Sequence, residues 1–295
     1  MTMTMNRQAD LEAMLKAFHL PTFQQHYQGV ARQAEKERLD HVGYLYQLAT
    51  METEDRARRR TERLIRQAKL PHGKQLADFD FTQRIGISPS RVRELAEGEC
   101  LDHCENILIF GPPGTGKTHL ATALAREWCL RGRQVLYTSA VGLVQDLLAA
   151  KRDLRLNQVL RRLDRFEALI VDDISYVAHQ PHETDVLFTL FAERYETRSV
   201  VITSNLPFSE WERIFKDPMM AVAAVDRLVH HATVLELNGT SYRVAEASRR
   251  KVRGGAPTSA TPRVIDVDNS GRLAVDQDQK EANDNYPPSD RPREK

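Results

Sequence analysis

Residues 106–118 read Asn106-Ile107-Leu108-Ile109-Phe110-Gly111-Pro112-Pro113-Gly114-Thr115-Gly116-Lys117-Thr118, and this stretch decides the architecture. Ile107 to Phe110 form an apolar run that predicts a buried strand, and it leads straight into Gly-x4-Gly-Lys-Thr. Leu120, Ala123, Leu124 and Trp128 then predict a helix. A strand, a glycine-rich turn and a helix in that order are the context a phosphate-binding loop requires. Gly111, Gly114 and Gly116 let backbone N–H groups crowd around phosphate oxygens with no Cβ in the way. Pro112, Pro113, Thr115 and the following His119 belong to the same cradle. Lys117 can reach β- and γ-phosphates as a compact charge, and Thr118 can offer its hydroxyl to Mg2+. The helix start adds its positive dipole end. A glycine-rich turn of purely structural use is the plain alternative; the full match in context predicts a nucleotide site.

Outward from the loop, apolar runs alternate with helical patterns. Gln134–Ser139 predicts a second strand, and Val141, Val144, Leu147 and Leu148 the helix after it. Arg161, Arg162 and Arg165 form a small basic group of unassigned role. Residues 166–173 are an apolar run ending in Asp172-Asp173. An acid pair closing a strand downstream of a phosphate loop has a definite chemistry. Asp172 can hold the Mg2+ shell, and Asp173 can orient or deprotonate a water. A helix over Thr184–Arg194 and a fourth strand over Ser199–Asn205 follow, with the Asn205 amide at the carboxyl end. In an open α/β sheet that edge binds the ligand, so Asn205 is a further site residue; an Asn that merely ends a strand is the alternative. Asp217-Pro218 predicts a helix to about His231, and Thr233–Leu237 a fifth strand.

Residues 1–70 read as four helices. Leu11, Met14, Leu15 and Phe18 mark the first, and Pro21 opens the second. Asp40 caps the third, and the fourth runs from about Glu54 to Lys69. Arg56, Arg59, Arg63 and Arg66 fall at i, i+3, i+7 and i+10 on the last, with Arg60 beside them. Apart from Glu52, Glu54 and Asp55 at the start, few acids stand where they would pair with these arginines. A solvated surface helix is the bland reading of such a stripe. The scarcity of acids favours contact with a nucleic-acid phosphate backbone, without base-specific reading.

The bulk numbers bound the rest. The chain has 295 residues and a net charge of +1, so any nucleic-acid contact is a local patch. Three cysteines, Cys100, Cys104 and Cys129, do not form a disulfide framework. Cys100 and Cys104 bracket His103, a zinc arrangement lacking a second ligand pair, so ordinary thiols are expected. No apolar run approaches the roughly 20 residues of a membrane span, and a cytosolic protein without membrane contact is expected. The expected division is a helical part over 1–75, a connector over 76–100 carrying Phe79 and Phe81, a nucleotide-binding domain over 101–247 and a disordered tail over 248–295.

Together Gly111–Thr118, Asp172-Asp173, Asn205, Asp226-Arg227-Leu228 and Ser241-Tyr242-Arg243 resemble the short AAA+ ATPases of the DnaC and IstB type. The stretches 203–211 and 226–232 are most similar to IstB, the ATP-binding helper of an insertion-sequence transposase. The resemblance implies a five-stranded parallel sheet in which another strand separates the loop strand from the acid strand, preceded by an all-α part. It implies ATP with Mg2+ as ligands. It also implies an oligomer with shared ATP sites that wraps duplex DNA and recruits its cognate transposase. By position Asn205 resembles sensor 1, Arg227 a finger reaching the neighbour's γ-phosphate, and Arg243 a sensor 2. The family usually carries Glu where this chain has Asp173, one methylene shorter, which implies slow hydrolysis. A DnaC-like loader of a replicative helicase is the alternative function; a nucleotide-gated scaffold with negligible hydrolysis is the third.

Overall fold

The apolar and β-branched runs become five short strands: β1 (Asn106–Phe110), β2 (Val135–Ser139), β3 (Ala168–Asp172), β4 (Ser199–Ser204) and β5 (Ala232–Glu236). They pair in the order β2-β3-β4-β1-β5, every pair parallel. β4 lies between the loop strand β1 and the acid strand β3, as the resemblance implied. The computed structural model describes residues 2–81, 87–176, 181–213, 218–239 and 241. Because all strands run the same way, Gly111, Asp173 and Asn205 emerge at one edge of the sheet.

Helices cover both faces, which is why β1, β3 and β4 are buried throughout. Leu108 and Phe110 point to the face packed by α7 (Ala140–Arg152), α8 (Leu156–Leu163), α9 (Pro181–Arg194) and α10 (Pro218–Val229). Ile107 and Ile109 point to the other, packed by α6 (Lys117–Leu130), α4 (Pro89–Glu97) and the end of α3 (His41–Ala68). α8 was not foreseen. Its inward Leu160 and Leu163 are interleaved with Arg161 and Arg162, which dominate the local composition.

The amino-terminal part holds three helices, α1 (Thr2–Ala17), α2 (Pro21–Glu37) and α3, rather than four. The expected third and fourth helices are one helix of 28 residues. No Gly or Pro interrupts residues 44–68, and the Thr53 hydroxyl donates to the Ala49 carbonyl, so nothing there competes with helix. Asp40 caps it as expected, accepting from the Gly43 N–H at 2.7 Å. Lys69, left-handed at φ 53°, ends it before Leu70-Pro71.

Within the connector Ser88-Pro89 opens a short helix, as that dipeptide in the sequence leads one to expect. A 3-10 turn (Leu76–Asp78), α4 and α5 (Glu99–Asp102) occupy it. Trp128 on α6 donates its indole N–H to the Leu95 carbonyl at 2.8 Å. Phe79 is buried against Phe81 and His119, at 4.9 and 5.5 Å between ring centroids. Among the described residues no helix is long and apolar enough to cross a membrane.

Candidate nucleotide site

Two glycines of the loop stand where a side chain would be strained. Gly111 has φ +143°, and a Cβ there would collide with the Leu237 carbonyl oxygen beyond β5. Gly114 has φ +81°, and a Cβ there would strike the Ser241 hydroxyl. The loop is braced from within, since the Thr115 hydroxyl donates to the Pro112 carbonyl at 2.8 Å. Lys117 is buried, and its Nζ donates to the carbonyls of Gly111 (2.7 Å) and Pro112 (2.9 Å). The ammonium is thereby anchored inside the cradle.

Across the sheet edge, Asp172 accepts three hydroxyl hydrogen bonds. Thr118 Oγ1 donates to Oδ2 at 3.1 Å, Tyr137 Oη to Oδ2 at 2.6 Å, and Thr203 Oγ1 to Oδ1 at 2.7 Å. Tyr137 lies on β2 and Thr203 on β4, so the strands flanking β3 clamp its terminal carboxylate from both sides. Burial, reinforced by the hydrogen bond to Asp172, pushes the Tyr137 phenol far above its ordinary value, so it donates at any physiological pH. Neither Tyr137 nor Thr203 was foreseen. Their role depends on strand order, which no local pattern reveals.

Thr203 does a second thing. Its oxygen accepts the Asp173 N–H at 2.8 Å. Asp173 is left-handed, φ 58°, a conformation costing a non-glycine residue on the order of 1–3 kcal/mol, which this bond helps hold. The Asn205 N–H donates to Ser175 Oγ at 3.0 Å, tying the end of β4 to the turn after the acids.

Lys117, Thr118, Asp173 and Asn205, with Gly114 and His119, line one cavity of about 430 Å³; Asp172 is not on its wall and is joined to it through Thr118. The opposite wall is the segment from His72 to Asp80, also unforeseen. His119 faces that segment, its Nε2 donating to the Gln75 carbonyl at 2.9 Å. A hydroxyl and a carboxylate oxygen 3.1 Å apart beside a buried ammonium fit a hard divalent cation next to phosphate.

Arg227 lies elsewhere. It projects from α10, donates Nη1 to the Ala223 carbonyl at 3.0 Å and sits 5.1 Å from the centre of the Phe188 ring. It does not line the cavity of its own chain. Arg243 and the tail fall outside the described residues, as does Asp217, the expected cap of α10.

The arginine stripe is half engaged, by the acids at its start that the sequence set apart. Glu52 is buried at the contact of α2 and α3 and binds Arg56 at 2.6 Å and Arg59 at 3.3 Å. It also accepts the Thr22 N–H at 3.0 Å. Arg60 reaches the Gly132 carbonyl at 3.4 Å. Arg63 and Arg66 make no ion pair among the described residues and remain the outward part of the stripe. Cys100 and Cys129 are buried thiols pushed up to about 11 by that burial, hence unreactive at neutral pH.

Comparison with known proteins agrees with this geometry. The family model described as IstB-like ATP binding protein matches residues 13–250. An insertion sequence ATP-binding protein of Sinorhizobium fredii is 44% identical over 85% of each chain. Another, of Pseudomonas aeruginosa, is 36% identical over 87% of this chain and 96% of its own. Among solved structures, AMPPCP-bound DnaA from Aquifex aeolicus superposes with a TM-score of 0.50 at 19% identity. It covers 63% of this chain and 56% of DnaA, a likeness of fold alone. With most of its length matched by the family model and by relatives above 30% identity, the chain belongs to the family of IstB-like ATP-binding proteins.

Proposed function

We propose that this chain is a Mg2+-dependent ATPase that assembles on duplex DNA and helps a cognate insertion-sequence transposase select its target. The observation that carries the reading is the Thr118–Asp172 hydrogen bond beside Lys117, with Asp173 and Asn205 on the walls of the same cavity. Lys117 offsets the charge of the β- and γ-phosphates, while Thr118 and Asp172 would hold the cation. Mg2+ bound there neutralises charge on the transferring phosphoryl group. Asn205 and Asp173 orient a water in line with the γ-phosphorus, and Asp173 accepts its proton as ADP leaves. Asp173 is a shorter acid than the usual Glu, so turnover is slow without DNA or a neighbouring subunit. The neighbour supplies Arg227, which its own cavity does not use.

The names of the relatives, insertion sequence ATP-binding proteins, support the transposition context. In this reading residues 1–75 form the DNA-binding and oligomerisation part, 76–100 the connector, 101–247 the ATPase domain and 248–295 a tail. The test compares wild type with Lys117→Ala and Asp173→Asn, measuring fluorescent ATP-analogue binding and phosphate release with and without duplex DNA. Lys117→Ala should lose nucleotide binding, and Asp173→Asn should bind but not turn over. Normal affinity in Lys117→Ala would remove the site assignment. With the transposase encoded beside it, strand transfer should require ATP and this chain; transfer indifferent to either would remove the targeting role.

A further inference from the structure

The sheet edge opposite the nucleotide cavity carries a second group of ligating side chains. Glu196 stands in the turn between α9 and β4, and His230 and His231 stand in the turn between α10 and β5. One donor atom from each of the three lies within 4.8 Å of the other two. Glu196 Oε1 is 3.9 Å from His230 Nδ1 and 3.8 Å from His231 Nε2. The two imidazole centroids are 4.1 Å apart. We propose that Glu196, His230 and His231 form a binding site for a transition-metal cation of the Zn2+ class, separate from the Mg2+ expected beside the phosphates.

The donor chemistry selects the ion. Two imidazoles and one carboxylate suit Zn2+, Co2+ or Ni2+, whereas Mg2+ and Ca2+ take sites built of oxygen. The backbone carrying these donors is fixed. Asn106 N–H donates to the His231 carbonyl at 2.7 Å, its Nδ2 to the Leu228 carbonyl at 3.1 Å, and the His230 N–H to the Asp226 carbonyl at 3.0 Å. The turn holding Glu196 is anchored by the buried Arg194, whose guanidinium donates to the carbonyls of Leu163, Phe166 and Ser199 at 2.9–3.0 Å. Only the side chains have to adjust, and each is about half exposed, 53–54%, so they can rotate and an ion can enter from solvent. Tetrahedral bonds of about 2.0–2.1 Å put donors roughly 3.3 Å apart, closer by about half an ångström than the 3.8 and 3.9 Å found here and closer still than the 4.8 Å that bounds all three pairs, so the side chains have to rotate inward.

The His230 ring is oriented already. Tyr195 Oη lies 2.7 Å from its Nδ1, and the two rings stack 28° from parallel. The hydroxyl occupies the same nitrogen that faces Glu196, so a cation at Nδ1 has to displace it. Three protein ligands leave a coordination position for water or for a donor from another molecule. A bound cation would tie the α9–β4 turn to the carboxyl end of α10, one turn beyond Arg227.

The test uses the full-length, chelator-dialysed, nucleotide-free chain in excess Mg2+, titrated with Zn2+ by calorimetry and with Co2+ by visible absorption. One equivalent should bind, with the intense d–d bands of a four-coordinate Co2+. His231→Ala and Glu196→Gln should each weaken binding more than tenfold, whereas Tyr195→Phe, which frees His230 Nδ1, should tighten it. His231→Gln serves if His231→Ala unfolds, with far-UV circular dichroism and ATP-analogue binding as controls. Lys117→Ala should bind the metal normally, which separates this site from the phosphate cavity. Cys104→Ser should also bind normally. The proposal is overturned by the absence of saturable binding, by unchanged affinity in the folded His231 and Glu196 variants, or by loss of the equivalent in Cys104→Ser.

Discussion

The Tyr137 hydroxyl lies 2.6 Å from Asp172 Oδ2, the same carboxylate oxygen that Thr118 reaches from the phosphate loop. The carboxylate that would hold the cation is therefore aimed by a residue two strand positions before the end of the neighbouring strand. A hydrogen bond to a charged group is worth about 1.5–3 kcal/mol, and here its loss would appear first as freedom of the carboxylate to turn. Tyr137→Phe should keep the fold and Mg2+-free nucleotide affinity while raising the Mg2+ needed for tight ATP binding several-fold. Titrating ATP-analogue binding against Mg2+ measures this. An unshifted Mg2+ midpoint would reduce Tyr137 to packing.

Arg227 separates a self-contained enzyme from one with shared sites. Its cation–π contact with Phe188 is worth about 0.5–1 kcal/mol, so Arg227→Ala should fold. It should bind ATP and lose DNA-stimulated hydrolysis by about 10³–10⁵-fold, as for an arginine supplied in trans. Mixing it with Lys117→Ala subunits should restore part of the rate, because one intact pocket then meets one intact arginine. No recovery in mixtures shown by light scattering to co-assemble would eliminate sharing.

The arginines of α3 should divide by partner. Arg63→Gln with Arg66→Gln should lower the log–log salt slope of duplex binding by about 0.9 per phosphate contact, or about 1.8, with little effect on stability. Arg56→Gln with Arg59→Gln should instead destabilise the amino-terminal part, since buried Glu52 loses both cations. Filter binding across a salt series and thermal melts distinguish the two outcomes. A slope unchanged in the first pair would leave that face merely solvated.

Glu52 also makes a statement about acid. Burial favours its neutral form, but the Arg56 hydrogen bond and those from Thr22 outweigh burial and hold its carboxyl below the ordinary 4.5. The folded value lies below the unfolded one. The stabilisation is therefore complete above about pH 4.5 and is lost as pH falls through the folded value. Glu52→Gln should cost about 1–3 kcal/mol at neutral pH, less to the extent that half-exposed Arg56 is screened. It should also flatten the acid limb of the melting temperature against pH; an identical acid limb in both proteins would assign it to other carboxylates.

What was legible in the chain was local. Gly111–Thr118 and Asp172-Asp173 announce themselves because the chemistry and the element that carries it are adjacent in sequence. Asn205 followed from the rule that parallel strands end at one edge. Tyr137 and Thr203 read as ordinary strand residues until the order β2-β3-β4 sets them on either side of Asp172. The helix start expected at about Glu54 follows Thr53, a residue type that caps as readily as it continues a helix, and the backbone runs on through it. The His72–Asp80 wall of the cavity has the composition of a loop, and its use depends on where α3 ends.

The fusion of two expected helices into one gives the chain a lever. At 1.5 Å per residue, α3 is about 42 Å long. Leu64 and Ala68, near one end, pack in the same core as Leu120 and Leu124 of α6, the helix that begins at Lys117. The Thr22–Glu52 contact fastens the start of α2 near the middle of α3. Each degree of rotation about the α6 contact displaces the Asp40 end by roughly 0.7 Å. A tilt of about five degrees at that contact would carry the Asp40 end by roughly 3.5 Å.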